Sequence, residues 1–165
     1  MVNVDKEWVK KQLDKAISAE QSIIESEKDH RDKLAGHRDL SVMYDRIIQD
    51  DEKHLDELKG VGRRYGIESS KMEGAGRIAG RLKGMAEGMV ATDSFQDIGD
   101  DLAMKATAVN NDIVWKNIFS NIGDLDSANA MDRAAAEDEQ HEMMIRNTLT
   151  SVGVMEAHGE MLEEE

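Results

Sequence analysis

Ile47-Ile48-Gln49-Asp50-Asp51-Glu52-Lys53-His54-Leu55-Asp56-Glu57-Leu58 sets an aspartate and a histidine among apolar residues at helical spacing. Ile47, Asp51, His54, Leu55 and Leu58 follow steps of three and four, the period that gathers side chains on one face of an α-helix. Asp51 and His54 therefore point where the helix buries leucine. An ionised carboxylate facing a core is costly unless something pairs with it, and the same holds less severely for imidazole. A metal ion compensates both groups at once.

Ala136-Glu137-Asp138-Glu139-Gln140-His141-Glu142 repeats the Asp-Glu-x-His pattern. Met131, Ala134, Asp138, His141, Ile145 and Leu149 continue its apolar line. With 35 acidic residues in 165 and five histidines, composition alone supplies about one acid three residues before a histidine. Position on the buried line is what singles out these two pairs; the competing interpretation is ion pairing with lysines such as Lys53 on solvated faces. Glu27 and His30 form a third pair, read as a hydrated helix face. In the first helix Glu20 extends the line Leu13, Ile17, Glu20, Ile24, Glu27.

Bundles that hold two metals take one glutamate from each of two helices and an acidic-x-x-His pair from each of the other two. Glu20, Asp51 with His54, and Asp138 with His141 supply three of these contributions. Superposing Ala16 to Ile24 on Ala106 to Val114 brings Asn110 opposite Glu20 as the fourth, a neutral ligand that cannot bridge two cations. Asp112, about 200° further around the helix, is expected to face solvent or a neighbour. Glu20, Asp51 and Asp138 leave roughly one positive charge on two divalent ions, which hydroxide or Glu27 would balance. The expectation is a weakened or asymmetric site for iron or manganese, with zinc also compatible.

Around these segments the chain predicts an all-α fold: it has no proline, few aromatics and eleven methionines, a composition with little preference for strands. Apolar periodicity and capping patterns predict helices over 5–36, 40–62, 70–90, 94–122 and 127–152 in a single domain spanning 1–165. The 94–122 helix is assigned the inward line Ile98, Leu102, Ala106, Val109, Ile113 and Ile118. A capping box at Ser70-Lys71-Met72-Glu73 opens the 70–90 helix. Gly76, Gly80, Gly84 and Gly88 lie on one side of it, a ridge suited to close approach of another backbone or else a flexible connector. Trp8, Trp115 and Phe119 are read as core, and His37 and His158 carry no role.

Several function classes are excluded by composition. Without cysteine there is no disulfide, thiolate metal site or cysteine nucleophile. A formal charge of −14 disfavours nucleic acid, which needs a basic patch. No apolar run is long enough for a membrane span, and the charged start lacks the apolar core of a secretion signal, so a cytoplasmic location is expected.

The sequence resembles the ferritin-like superfamily, and within it the YciF-like stress-associated family. The likeness is carried by Ala19-Glu20-Gln21, the acidic segment Asp50 to Leu58 leading into Val61, Lys71-Met72-Glu73-Gly74, and the last two helices ending at Asp138 to His141. The resemblance implies a four-helix bundle with an additional short helix, a homodimer and, in many members, a two-metal carboxylate centre. The family has no settled reaction; a first functional reading of such a centre is iron- or manganese-dependent redox or peroxide chemistry. Aspartates stand where such relatives have glutamates, and Asn110 stands where a second bridging glutamate is expected. The alternative is a metal-free or non-turnover helical dimer acting as a structural or interaction protein.

Overall fold

Four helices, α1 (Lys6–Lys33), α2 (Arg38–Arg64), α3 (Ser94–Ile122) and α4 (Leu125–Ala157), account for most of the chain in a computed structural model that describes residues 4–68 and 94–158. No strand occurs among the described residues. The expected 70–90 helix, with its glycine ridge and the Lys71 to Gly74 segment, lies outside them.

Local chemistry sets the helix ends. Asp5 caps α1 by accepting from the Trp8 amide at 3.0 Å, satisfying one of the donors left free in a first turn. Asp124 caps α4 in the same way, accepting from the Ser127 amide at 3.1 Å and from its hydroxyl at 2.6 Å. The polar run Asp124 to Ser127 is therefore the cap and first turn of α4 rather than a loop before it. The reversal between α3 and α4 passes through Gly123 at φ +83°, a left-handed conformation that glycine adopts without steric cost.

Consecutive helices form antiparallel hairpins, α1 with α2 and α3 with α4. Contacts between the hairpins fix their relative direction. His30, at the end of α1, and Tyr44, near the start of α2, both reach Asp101 near the start of α3. At the opposite end Tyr65, just past α2, lies against Phe119 with ring centroids 5.9 Å apart. Thr148 near the end of α4 donates to the Met43 sulfur at 3.2 Å. Every neighbouring pair is thus antiparallel, while α2 and α3 run parallel. The chain leaves α2 at one end of the bundle and re-enters at the other, the layout of bundles with one long crossover connection.

The core runs the length of the bundle through Leu13, Ile17, Tyr44, Ile47, Ile98, Phe119 and Ile145. Trp115 stacks on Phe119 at 5.2 Å. Trp8 is not part of the core: it sits in the first turn of α1 and is 48 % exposed. Among the described residues no helix is long and apolar enough to cross a membrane.

Helix α3 departs most from its sequence expectation. Its inward line is Ile98, Asp101, Lys105, Ala108, Asp112, Trp115 and Phe119, at alternating steps of three and four. Asp101 and Lys105 are fully buried and Asp112 half-buried. Leu102, Ala106 and Ile118 are only half-buried and Ile113 is 39 % exposed. Ile98 and Val109 of the expected line are buried, but the rest of it follows a flank of the helix, because three of the seven residues that face the centre are ionisable.

Phe119 is wholly buried between Trp115 and Tyr65. Phe119→Ala is expected to cost about 3–5 kcal/mol, the range for emptying an aromatic core position. Urea denaturation midpoints check this, with the helix content of the variant confirmed by circular dichroism.

Candidate metal centre

Midway along the bundle, α2 and α4 face each other with their Asp-x-x-His pairs in register. On each helix the acid and the histidine are one turn apart and share the inward face. His141 Nδ1 lies 3.4 Å from Asp138 Oδ1 and 3.6 Å from Asp51 Oδ1. His54 Nδ1 lies 3.7 Å from Asp138 Oδ1 and 3.9 Å from Asp51 Oδ1. All four residues are buried, His54 at 8 % exposure and His141 at 3 %.

The outer nitrogen of each ring is engaged by an acid on the opposite helix. His54 Nε2 lies 2.7 Å from Glu137 Oε2, and His141 Nε2 lies 3.3 Å from Asp50 Oδ2. A carboxylate on one ring nitrogen holds the imidazole in place and leaves the other free to ligate, the arrangement found around metal-bound histidines. Neither Nδ1 has a hydrogen-bond partner, and neither has Asp51 Oδ1. Tetrahedral coordination with bonds of about 2.1 Å separates its ligands by about 3.4 Å. The four imidazole–carboxylate separations, 3.4 to 3.9 Å, stand at or a few tenths of an ångström beyond that spacing.

Glu20 joins from α1. Its carboxylate forms, with Asp51 and His54, a group whose ligand atoms all lie within 4.8 Å of one another; Asp51, Asp138 and His141 form a second such group. Glu20 Oε1 is buried without a partner. Beside it is a cavity of about 10 Å³ lined by Glu20, His54, Leu58, Asp112, Met131 and Ala134, roughly one water position.

Glu27 is wholly buried and its partner in sequence, His30, is 8 % exposed, so neither lies on the hydrated face expected for them. Glu27 faces the cluster, whereas His30 turns toward Asp101. Asn110 is exposed and donates to the Ala106 carbonyl of its own helix at 2.7 Å, outside the cluster. Its place opposite Glu20 depended on equating two helices whose inward lines differ. Asp112, expected to face solvent or a neighbour, turns toward the cavity beside Glu20.

Lys105, which the apolar pattern did not single out, is wholly buried and places its ammonium against Asp51, Glu27 and Asp138. Stepping back from Phe119 by four and three, through Trp115, Asp112 and Ala108, leads to it. A further group missed in the sequence adjoins the cluster: the Tyr44 hydroxyl donates to Asp101 Oδ2, and His30 Nδ1 lies 2.7 Å from the same oxygen. Burial, with the Asp101 charge next to it, pushes the Tyr44 phenol well up.

The same surroundings govern protonation. Burial, with Asp51 nearby, raises Glu20 well above the usual carboxylate range, and burial raises Glu27 likewise. Burial, then the Asp138 charge, lifts Asp112 to about 8. For Asp51 burial acts upward too, but His141 and the Lys105 ammonium outweigh it and hold it at about 2. Burial disfavours the His141 imidazolium, yet the facing Asp138 and Asp51 carboxylates prevail and raise it to about 9. A cation entering between these groups must displace that proton.

No known family model, curated protein or solved structure matches the chain.

These shifts give the cation-free protein a defined pH dependence. His141 keeps its proton up to about 9 in the fold but releases it near 6.5 when unfolded. Asp112 likewise stays protonated up to about 8 in the fold, against 3.8 when unfolded. The folded state thus binds more protons than the unfolded chain, and stability falls as pH rises. In a chelating buffer the urea midpoint is expected to drop steadily between pH 6.5 and 9, by at most roughly 1.4 kcal/mol per pH unit for each such group. His141→Gln should flatten the slope.

Proposed function

We propose that the protein binds a divalent transition-metal ion between α2 and α4, held by His54, His141, Asp51 and Asp138, with Glu20 as an additional oxygen donor. The observation that carries this is the pair of buried Nδ1 atoms that face two carboxylates without a hydrogen bond, each with its other ring nitrogen oriented by a carboxylate. Buried polar groups are paired in folded proteins as a rule, so two imidazoles aimed at each other's aspartates call for a shared partner. Two nitrogens and two oxygens suit zinc, iron or manganese by ligand type.

The chain's own residues divide the work. Glu137 and Asp50 fix the ring orientations, Asp51 and Asp138 neutralise the ion, and Glu20 borders the one-water cavity. A bound ion would polarise whatever occupies that cavity, and an iron or manganese ion would add one-electron chemistry. The single long crossover and the inward acids from α1, α2 and α4 support placing the chain among ferritin-like, YciF-like proteins, in which a homodimer and a stress-related role would follow.

A second interpretation has its own support. Lys105 already neutralises part of the cluster, as in a metal-free scaffold whose polar centre sets helix register. Metal titration separates the two. Chelator-treated protein titrated with cobalt(II) is expected to take up one ion per chain with intense visible bands of four-coordinate cobalt. Zinc at about 100 times its Kd should stabilise the fold by about 2.7 kcal/mol. His54→Ala and His141→Ala should each abolish the bands. Uptake absent, or unchanged in both variants, would leave the scaffold.

A further inference from the structure

Lys105 reaches the centre from α3 and shares Asp138 Oδ1 with both histidines. Its Nζ lies 3.2 Å from Glu27 Oε1 and 3.4 Å from Asp138 Oδ1, and donates to Asp51 Oδ2. Asp51 is therefore divided between two faces of the cluster. Its Oδ1 looks toward His54 and His141 without a hydrogen-bond partner, while its Oδ2 is engaged by the ammonium.

A carboxylate between two cation positions is how bundles of this kind hold a pair of metals. Here one of the two positions contains a covalently tethered cation. Each face also has its own acid: Glu20 groups with Asp51 and His54, whereas Glu27 is in ion-pair contact with Lys105.

We propose that the Lys105 ammonium permanently occupies the second cation position, so that the centre accepts one divalent ion where two would otherwise fit, with Glu27 facing the lysine rather than acting as a metal ligand. This rests on the metal-binding function proposed above and adds its stoichiometry. Charge balance agrees. With the ammonium present, a second divalent ion would place two cations in contact across buried surroundings. With it gone, Glu20, Glu27, Asp51 and Asp138 carry the charge that two divalent ions need. The vacated position offers Glu27, Asp51 Oδ2 and Asp138 but neither histidine, so the second ion would be oxygen-bound and suited to manganese or iron.

Equilibrium dialysis against manganese(II), followed by metal analysis per chain, tests this. Wild type is expected to hold one ion and Lys105→Gln two, the pair showing magnetic coupling by electron paramagnetic resonance. Adding Glu27→Gln to Lys105→Gln should return the count to one. One ion in both wild type and Lys105→Gln, or two in wild type, overturns the lysine's role while leaving metal binding intact; no ion in wild type with manganese(II), and none with zinc(II) in a parallel dialysis, overturns the metal-binding function itself. Should Lys105→Gln fail to fold, Glu27→Gln alone decides. It keeps the ammonium and should still hold one ion, whereas loss of the ion would make Glu27 a ligand and contradict the proposal.

Discussion

An ammonium group with no access to water sits at the middle of this bundle, and α1, α2 and α4 each bring a carboxylate to it. Removing a charge from water costs several kcal/mol even after relaxation, so Lys105 tolerates burial only while Glu27, Asp51 and Asp138 surround it. That requirement ties the four helices to a common register. Sliding any one of them by a turn would separate its acid from the lysine and leave both uncompensated. Apolar residues on either side, Leu13, Ile17 and Phe119 toward one end and Tyr44, Ile98 and Ile145 toward the other, hold the helices together without specifying depth so narrowly.

The cluster is asymmetric about Asp51. Toward Lys105 its Oδ2 accepts a hydrogen bond from the ammonium. Toward His54 and His141 its Oδ1 has only ion-pair contacts of 3.6 to 3.9 Å and no hydrogen bond, although both rings are positioned by outer carboxylates. Natural interiors seldom leave such groups unmatched, and where they do the site is commonly one at which a ligand binds. Tyr44, Asp101 and His30 extend the polar interior toward the α1–α2 turn, so ionisable groups continue along the bundle well beyond the carboxylate–histidine cluster.

Much of this was legible in the sequence, and what was not failed for one physical reason. Helices α1, α2 and α4 bury enough apolar residues at helical spacing that periodicity locates their inward faces, and with them Glu20, Asp51, His54, Asp138 and His141. Helix α3 buries Asp101 and Lys105 and turns Asp112 inward, so following its apolar residues led to Leu102, Ala106 and Ile113 on the flank. The same slip carried Asn110 into the site and kept Asp112 out. Glu27 and His30 looked hydrated because an acid and a histidine one turn apart usually are. Only the lysine and the aspartate facing them from α3 make their burial tolerable, and that pairing is long-range.

The account stands on the proposed cation position between α2 and α4. Anomalous X-ray scattering at the zinc edge from crystals grown with zinc examines it directly. A single strong peak within bonding distance of His54 Nδ1, His141 Nδ1, Asp51 and Asp138, with the Lys105 ammonium still on the far side of Asp51, is the predicted result. Peaks confined to surface acids, with both imidazoles turned from the centre, would contradict it.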